Sequence, residues 1–247
     1  MDALAEKRFR ELAERSWSRG IPCFSDFLDL SEQAVLKRIR RSLPQPDLTL
    51  FGGADGCERV MAGFGVSGTE TGSFPVVCLN IAPVSVRFAS EITHRDVLGS
   101  LMSLGFERSL LGDIILREKE AWCFCTERIA DFICGHLSSV RKTPVQALRA
   151  ETPPAGDLFR LRREVVQVAS ERTDALVAHV FQLSRGDAQS LFPAGRVFLD
   201  GSECLRTDAE PQPGQIVSVR GLGRFRYLGP ESRSRKGKWN TVIERYI

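Results

Sequence analysis

Long apolar runs are missing from this 247-residue chain. None approaches the roughly 18 residues that a membrane-spanning helix needs, so the sequence reads as having no membrane span. The N-terminal Met-Asp-Ala-Leu-Ala-Glu-Lys-Arg mixes both charge signs and leads into no apolar stretch, which is not the pattern of a secretory signal. Histidine is scarce, at three residues, and leaves little material for a His-rich metal site. Cysteine is present but odd in number, seven residues scattered at 23, 57, 78, 123, 125, 134 and 204. Without an export signal, reduced thiols in a cytoplasmic protein are expected rather than a disulfide framework. With 43% hydrophobic and 26% charged residues, the chain can build two or three small cores and is not of disordered composition.

The net charge of +3 is unevenly spread. Residues 158–247 carry 15 Lys and Arg against 10 Asp and Glu, and from Arg220 onward the tally is 8 against 2. A basic C-terminal end points to phosphate, on nucleic acid or an anionic surface.

The pattern predicts an α+β chain of three small modules. In the first, residues 1–72, Ala5, Phe9, Leu12, Ala13 and Trp17 share a helix face that Gly20-Ile21-Pro22 ends. Ser31 is expected to cap a second helix through about Arg41, with Ala34, Val35 and Ile39 inward. Leu48–Phe51 reads as a strand and Glu58–Ala62 as its returning partner. The Gly/Ser/Thr-rich stretch from Gly63 to Ser73 reads as a domain boundary.

In the second module, residues 73–157, Val76–Ile81 reads as a strand. Thr93-His94-Arg95-Asp96 has capping-box spacing, with Val97, Leu98, Leu101 and Leu104 as the apolar stripe behind it. Asp113–Arg117 and Ala121–Thr126 read as a hairpin, Ile129–Val140 as a helix and Val145–Leu148 as a last strand. The order βαββαβ is ferredoxin-like, the layout of RNA-recognition modules. Thr152–Gly156 reads as a linker.

The third module, residues 158–247, opens on a β-prone stretch. A short helix comes next over Asp174–Phe181, then a second one capped at Ser184 and running toward Gly195, with Pro193 ending it early. Ala188, Leu191 and Phe192 face inward on it, and Arg185 and Gln189 share the outer face. Asp200-Gly201 is a hairpin dipeptide, and Pro213-Gly214 turns into a strand over Gln215–Arg220. In Arg224-Phe225-Arg226-Tyr227, alternation sends both arginines to one face and both aromatics to the other. Arg233–Lys238 is expected as a mobile basic loop in a basic tail, adding only sequence-independent attraction.

These residues carry a resemblance. Arg172-Thr173-Asp174, Leu183-Ser184-Arg185, Ala188-Gln189, Gly195-Arg196-Val197, Asp200-Gly201 and Pro213-Gly214-Gln215-Ile216 resemble the S4 RNA-binding domain. Thr93–Gly99, Leu104–Arg108, Gly112-Asp113-Ile114, Ser25–Asp29 and Gly221–Phe225 extend the likeness along the chain to the bacterial YlmH family. Thr173, where leucine is common, Gly186 in the second helix and Gln215 in place of Asp depart from the pattern.

The resemblance implies an RRM-like middle domain and a C-terminal S4 domain with its core over 172–227. It implies a cytoplasmic, non-enzymatic protein that binds rRNA on the large ribosomal subunit, and tRNA as peptidyl-tRNA, in ribosome-associated quality control; a monomer is expected. The RNA-contact set is then Arg172, Ser184, Arg185, Gln189, Arg196, Arg220, Arg224 and Arg226, with His94, Arg95 and Arg108 as a second patch at a helix N-terminus. Guanidinium groups suit phosphate because they donate in a fixed fork and stay charged.

Other chemistries fit less well. Gly63-Phe64-Gly65-Val66-Ser67-Gly68 matches G-x-G-x-x-G, but the Thr-Glu-Thr-Gly-Ser-Phe-Pro run behind it opens no helix, so no dinucleotide loop is expected. Cys123, Cys125, Cys134 and His136 suggest zinc, yet Cys134 and His136, two apart on a helix, point about 200° apart. The three histidines sit beside no evident nucleophile elbow, so neither cofactor nor catalytic residue is expected. The alternatives kept are an RNA-modifying enzyme with its catalytic groups in residues 1–150, and an adaptor for a division-related protein partner.

Overall fold

A computed structural model describes residues 2–68 and 71–247. The chain divides into two compact units, Met1–Leu158 and Phe159–Ile247.

The first unit begins with α1 (Asp2–Arg19), which buries Phe9 and Ala13. Its last inward residue is Ser16, whose hydroxyl donates to the Phe64 carbonyl at 3.0 Å, whereas Trp17 is 61% exposed. At about 100° per residue, Ser16 returns to within about 20° of Phe9, and Trp17 lies about 80° round the helix. A short strand, β1 (Cys23–Phe24), leads to α2 (Leu30–Ile39), which is capped by Asp29 instead of Ser31. The Asp29 carboxylate accepts from the Glu32 amide at 2.9 Å, and Glu32 accepts in return from the Asp29 amide at 3.1 Å. Val35, Leu36 and Ile39 are buried, with Ala34 only partly so.

Two further strands, β2 (Leu48–Phe51) and β3 (Met61–Phe64), complete an antiparallel sheet in the order β1-β3-β2. The returning strand starts three residues later than Glu58, because the amides of Glu58 and Arg59 are taken by the Asp113 carboxylate, at 2.6 and 3.1 Å. Gly63, expected in a loop, lies inside β3. A Cβ there would come within 2.7 Å of the Phe74 ring and 3.1 Å of the Phe24 ring, so glycine permits the close packing. The expected boundary stretch therefore begins inside β3, which ends at Phe64 with Gly65 in a turn; Thr69 and Glu70 lie outside the described residues.

The chain continues through β4 (Val76–Pro83), α3 (His94–Met102), β5 (Leu111–Arg117), β6 (Glu120–Thr126), α4 (Glu127–His136), β7 (Ser139–Val140) and β8 (Thr143–Arg149). These strands form an antiparallel sheet in the order β5-β6-β4-β8-β7. Helix α3 carries the full Thr93/Asp96 capping box. Helix α4 stops at His136, short of the expected Val140, because Leu137 and Val140 reach the core from extended backbone and Val140 pairs with Thr143. Leu79, Ile81, Val97, Leu101, Cys123, Cys125, Ile129 and Ile133 make the core between this sheet and its helices. Residues 1–72 and 73–157 share one compact unit. Gly112 lets the Phe27 ring close on β5, where a Cβ would meet it at 2.7 Å.

The second unit starts with β9 (Leu161–Val168), α5 (Thr173–Val180) and α6 (Arg185–Ser190). Helix α6 is shorter than expected, ending well before Gly195. Beyond it come β10 (Val197–Leu199), β11 (Ser202–Glu203), β12 (Ile216–Val219), β13 (Gly223–Arg233) and β14 (Trp239–Tyr246). The sheet order is β11-β10-β12-β13-β14-β9. The expected basic tail is instead the β13–β14 hairpin. Thr241 and Ile243 alternate into the core, and β14 pairs with both β13 and β9. Arg233–Lys238 is correspondingly a tight turn, with the Ser234 amide donating to the Lys238 carbonyl at 2.8 Å and Arg233 stacked 3.9 Å over Trp239. Helices α5 and α6 cover one sheet face through Leu176, Val177, Val180 and Ala188, joined by Phe192 just beyond α6.

Two of the residues singled out in the sequence are accommodated locally. Buried Thr173 donates its hydroxyl to the Ala209 carbonyl at 2.7 Å, and Gln215 donates to the Asp200 carboxylate at 3.0 Å.

Candidate nucleic-acid interface

The two helices of the second unit are joined through one carboxylate. Arg172, capping α5, places its guanidinium on Asp174 in a two-pronged contact of 3.0 and 2.9 Å. The Gln189 amide reaches the same buried Asp174 from α6, at 2.8 Å. Burial by itself would raise Asp174, but the hydrogen bonds from Gln189 and Arg172 outweigh it and hold the carboxyl below the usual range. Gln189 thus links α6 to α5 through Asp174, while Arg172 holds that carboxylate from its own helix. Ser184 accepts from the Asp187 amide at 3.1 Å and donates to its carboxylate at 2.7 Å, so it too is engaged in capping. Arg185, the first residue of α6, is exposed and makes no ion pair among the described residues.

A second group gathers about the turn between β12 and β13. The Arg196 guanidinium donates to the Arg220 carbonyl from Nε at 3.2 Å and from Nη2 at 2.6 Å, and the Arg220 amide donates back to the Arg196 carbonyl at 2.9 Å. Exposed Arg220 lies 4.5 Å over the Phe198 ring. Along β13, Phe225 and Tyr227 are buried while Arg224 and Arg226 take the opposite face, as alternation dictates. Arg224 sits 4.0 Å over Tyr246 and 5.5 Å from Phe159. Arg226 pairs with Glu244 at 3.1 Å and donates to the Tyr246 hydroxyl at 3.3 Å. Arg196, Arg220, Arg224 and Arg226 therefore belong to one sheet region. No hydrogen bond or ion pair among the described residues joins Arg185 to them. The aromatic partners escaped the sequence reading, Phe159 and Tyr246 because their meeting depends on β14 being a strand and Phe198 because Arg220 reaches it across the β10–β12 pairing.

The middle-domain patch divides. His94 and Arg95 are exposed on the first turn of α3. Asp96 beside them accepts from the Thr93 hydroxyl at 2.7 Å and amide at 2.9 Å, bonds that hold its carboxyl low. Arg108 is not with them at the surface. Its guanidinium turns inward onto the carbonyls of Leu111 and Gly112, the latter at 3.1 Å, and burial together with nearby Arg59 pushes its pKa down to about 10. Arg59 donates to the carbonyls of Leu111 at 3.0 Å and Phe27 at 3.2 Å. Nothing in the local sequence marks Arg59, Arg108 and Asp113 as neighbours.

Among the described residues, no group of three or more His, Cys, Asp or Glu side chains could hold a metal ion. Cys123 and Cys125 lie in the core, where burial raises both thiols.

Against this geometry, residues 70–152 match the family model described as "Putative RNA-binding domain in YlmH". Over that segment the chain is similar to YlmH. It is 29% identical over 230 residues to the ribosome-associated protein quality control protein P2 of Bacillus subtilis (strain 168), covering 90% of this chain and 86% of that protein. Among solved structures, it is similar to the cell division protein ylmH from Streptococcus pneumoniae. That likeness has a TM-score of 0.51 at 16% identity, over 60% of this chain and 90% of that one. It bears on the YlmH fold alone. No helix among the described residues is long and apolar enough to cross a membrane.

Proposed function

We propose that the protein is a cytoplasmic, non-enzymatic RNA-binding factor of the large ribosomal subunit, acting in quality control on subunits blocked by peptidyl-tRNA. The observation that carries this reading is the arginine group of the second unit. Arg220 and Arg224 lie on aromatic rings and Arg196 is braced on backbone, which holds fixed cationic forks near the surface of one sheet. Braced guanidinium groups lose less freedom on meeting phosphate than mobile lysines do. The match of residues 70–152 and the name of the Bacillus relative support the same reading. In it, residues 73–157 are an RRM-like module and residues 158–247 an S4 module, with Arg185, Arg220, His94 and Arg95 facing rRNA or tRNA.

Sucrose-gradient sedimentation of the wild type and of an Arg185→Glu/Arg220→Glu variant in lysate tests it. Wild type travelling with free large subunits, lost in the variant and weakened by salt, is the expected result. Wild type remaining at the top at every salt concentration, with or without blocked subunits, would sink it. Association that survives nuclease digestion would instead favour a protein-interaction adaptor.

A further inference from the structure

The cross-strand register of the second unit places Phe198 opposite Ser218, Ser218 opposite Arg224, Arg226 opposite Glu244 and Tyr246 opposite Leu161. Directly paired residues of an antiparallel sheet share a face, so these side chains lie on the side away from α5 and α6. Alternation should leave such a face polar. Instead it carries Phe198 and Tyr246, with Phe159 set against Tyr246 at 5.9 Å between ring centroids, and all three are only half-buried. Arg220 lies over Phe198, and Arg224 lies over Tyr246 and near Phe159. Glu244 is paired with Arg226 and Glu231 with Arg163 at 3.5 Å, and Glu203 stands opposite Phe198 on the edge strand β11.

We infer that this sheet face binds unpaired nucleotides of RNA, a base stacking against the Phe159–Tyr246–Arg224 group while its phosphates meet Arg220 and Arg226. The inference rests on the RNA-binding reading above and specifies its substrate as single-stranded. Rings and guanidinium planes stack with any base, whatever its sequence. They need that base out of its helix, because the deep, narrow major groove of A-form RNA admits no side chain and paired bases keep their faces covered. Phosphate recognition by Arg185 makes no such demand.

The test is fluorescence anisotropy with two labelled probes, a short unstructured single-stranded RNA and the fully paired duplex of the same strand. Phe159→Ala and Tyr246→Ala should each weaken single-strand binding about tenfold while duplex binding stays within about twofold. Tyr246→Phe, which keeps the ring, should retain single-strand binding. Arg185→Glu should weaken both probes. Equal losses on both probes for Phe159→Ala, or no loss on either, overturn the inference, as does a wild type that binds the duplex alone. Wild type binding neither probe, nor large subunits, overturns the RNA-binding reading as well. Should an alanine variant fold poorly, photocrosslinking of wild type to thiouridine-containing single strands decides: adducts on Phe159 or Tyr246 support the site, and adducts elsewhere only overturn it.

Discussion

Asp113 accepts the amide proton of Glu58 at 2.6 Å, across 55 residues of sequence, and that of Arg59 at 3.1 Å. One carboxylate on β5 thereby ties the N-terminal segment to the middle sheet. Burial raises its pKa despite those two amides.

Stability should depend on this carboxyl in two ways. Asp113→Ala leaves both donors without an acceptor and should cost about 1–3 kcal/mol in urea unfolding of the first unit. Because the native pKa is raised, the contribution of the protonated acid is fully present below the ordinary Asp value and is lost as pH rises through the native one. Asp113→Asn, which does not titrate, should flatten that part of the pH profile; an unchanged profile would contradict the assignment.

Asp174 carries the opposite sign. Its native pKa is lowered, so its stabilisation is present above the ordinary carboxylate value and is lost as pH falls through the native one. Asp174→Asn should cost the second unit about 1–3 kcal/mol near neutral pH and progressively less in acid. Thermal melts of the full chain over an acid-to-neutral series would show the two curves converging at the acid end.

The cysteines should be slow nucleophiles. Burial pushes Cys57, Cys78 and Cys123 up to about 12, so at pH 8 only roughly one such thiol in ten thousand is ionised. Iodoacetamide at that pH, read by mass spectrometry, should leave these three unmodified in the native protein and alkylate all seven cysteines in denaturant. Rapid native labelling of Cys123 would show the first core to be open.

Two arginines of the expected contact set should behave in opposite ways. Arg220→Glu, at an exposed ring-stacked side chain, should weaken RNA binding, lower the salt slope by about 1 and leave the melting temperature unchanged. Arg108→Ala should do the reverse. It removes donors from the Leu111 and Gly112 carbonyls and should destabilise by about 1–3 kcal/mol with little direct effect on RNA affinity.

Much of the local structure was legible because its causes are local. The Thr93/Asp96 box, the α3 stripe and the β5–β6 hairpin come from spacing alone, and the structure shows all three. Errors arose where two local solutions compete. Asp29 and Ser31 both suit a cap, and only Asp29 has Glu32 three residues on. Val140 continues a helical pattern, yet it gains burial and a strand partner by leaving it. The site was less legible than the fold. Which of its arginines reach the surface depends on tertiary partners: Arg108 turns onto carbonyls, Arg172 and Gln189 onto Asp174. The aromatic rings beneath Arg220 and Arg224 are found only once the strand register is known.

Strand β9 opens the second unit, yet among the described residues the only strand it pairs with is β14, from Leu161 against Tyr246 to Val168 against Trp239. The Ile247 amide closes the same seam on the Arg160 carbonyl at 3.1 Å. The sheet therefore lacks the strand joining β13 to β9 until Trp239–Tyr246 has been made and is free to pair. A chain lacking Trp239–Tyr246 keeps Arg196, Arg220, Arg224 and Arg226 but leaves β9 as an unpaired strand, prone to pair with other chains. Closure of this sheet is coupled to the arrival of one strand, Trp239–Tyr246, at both of its neighbours.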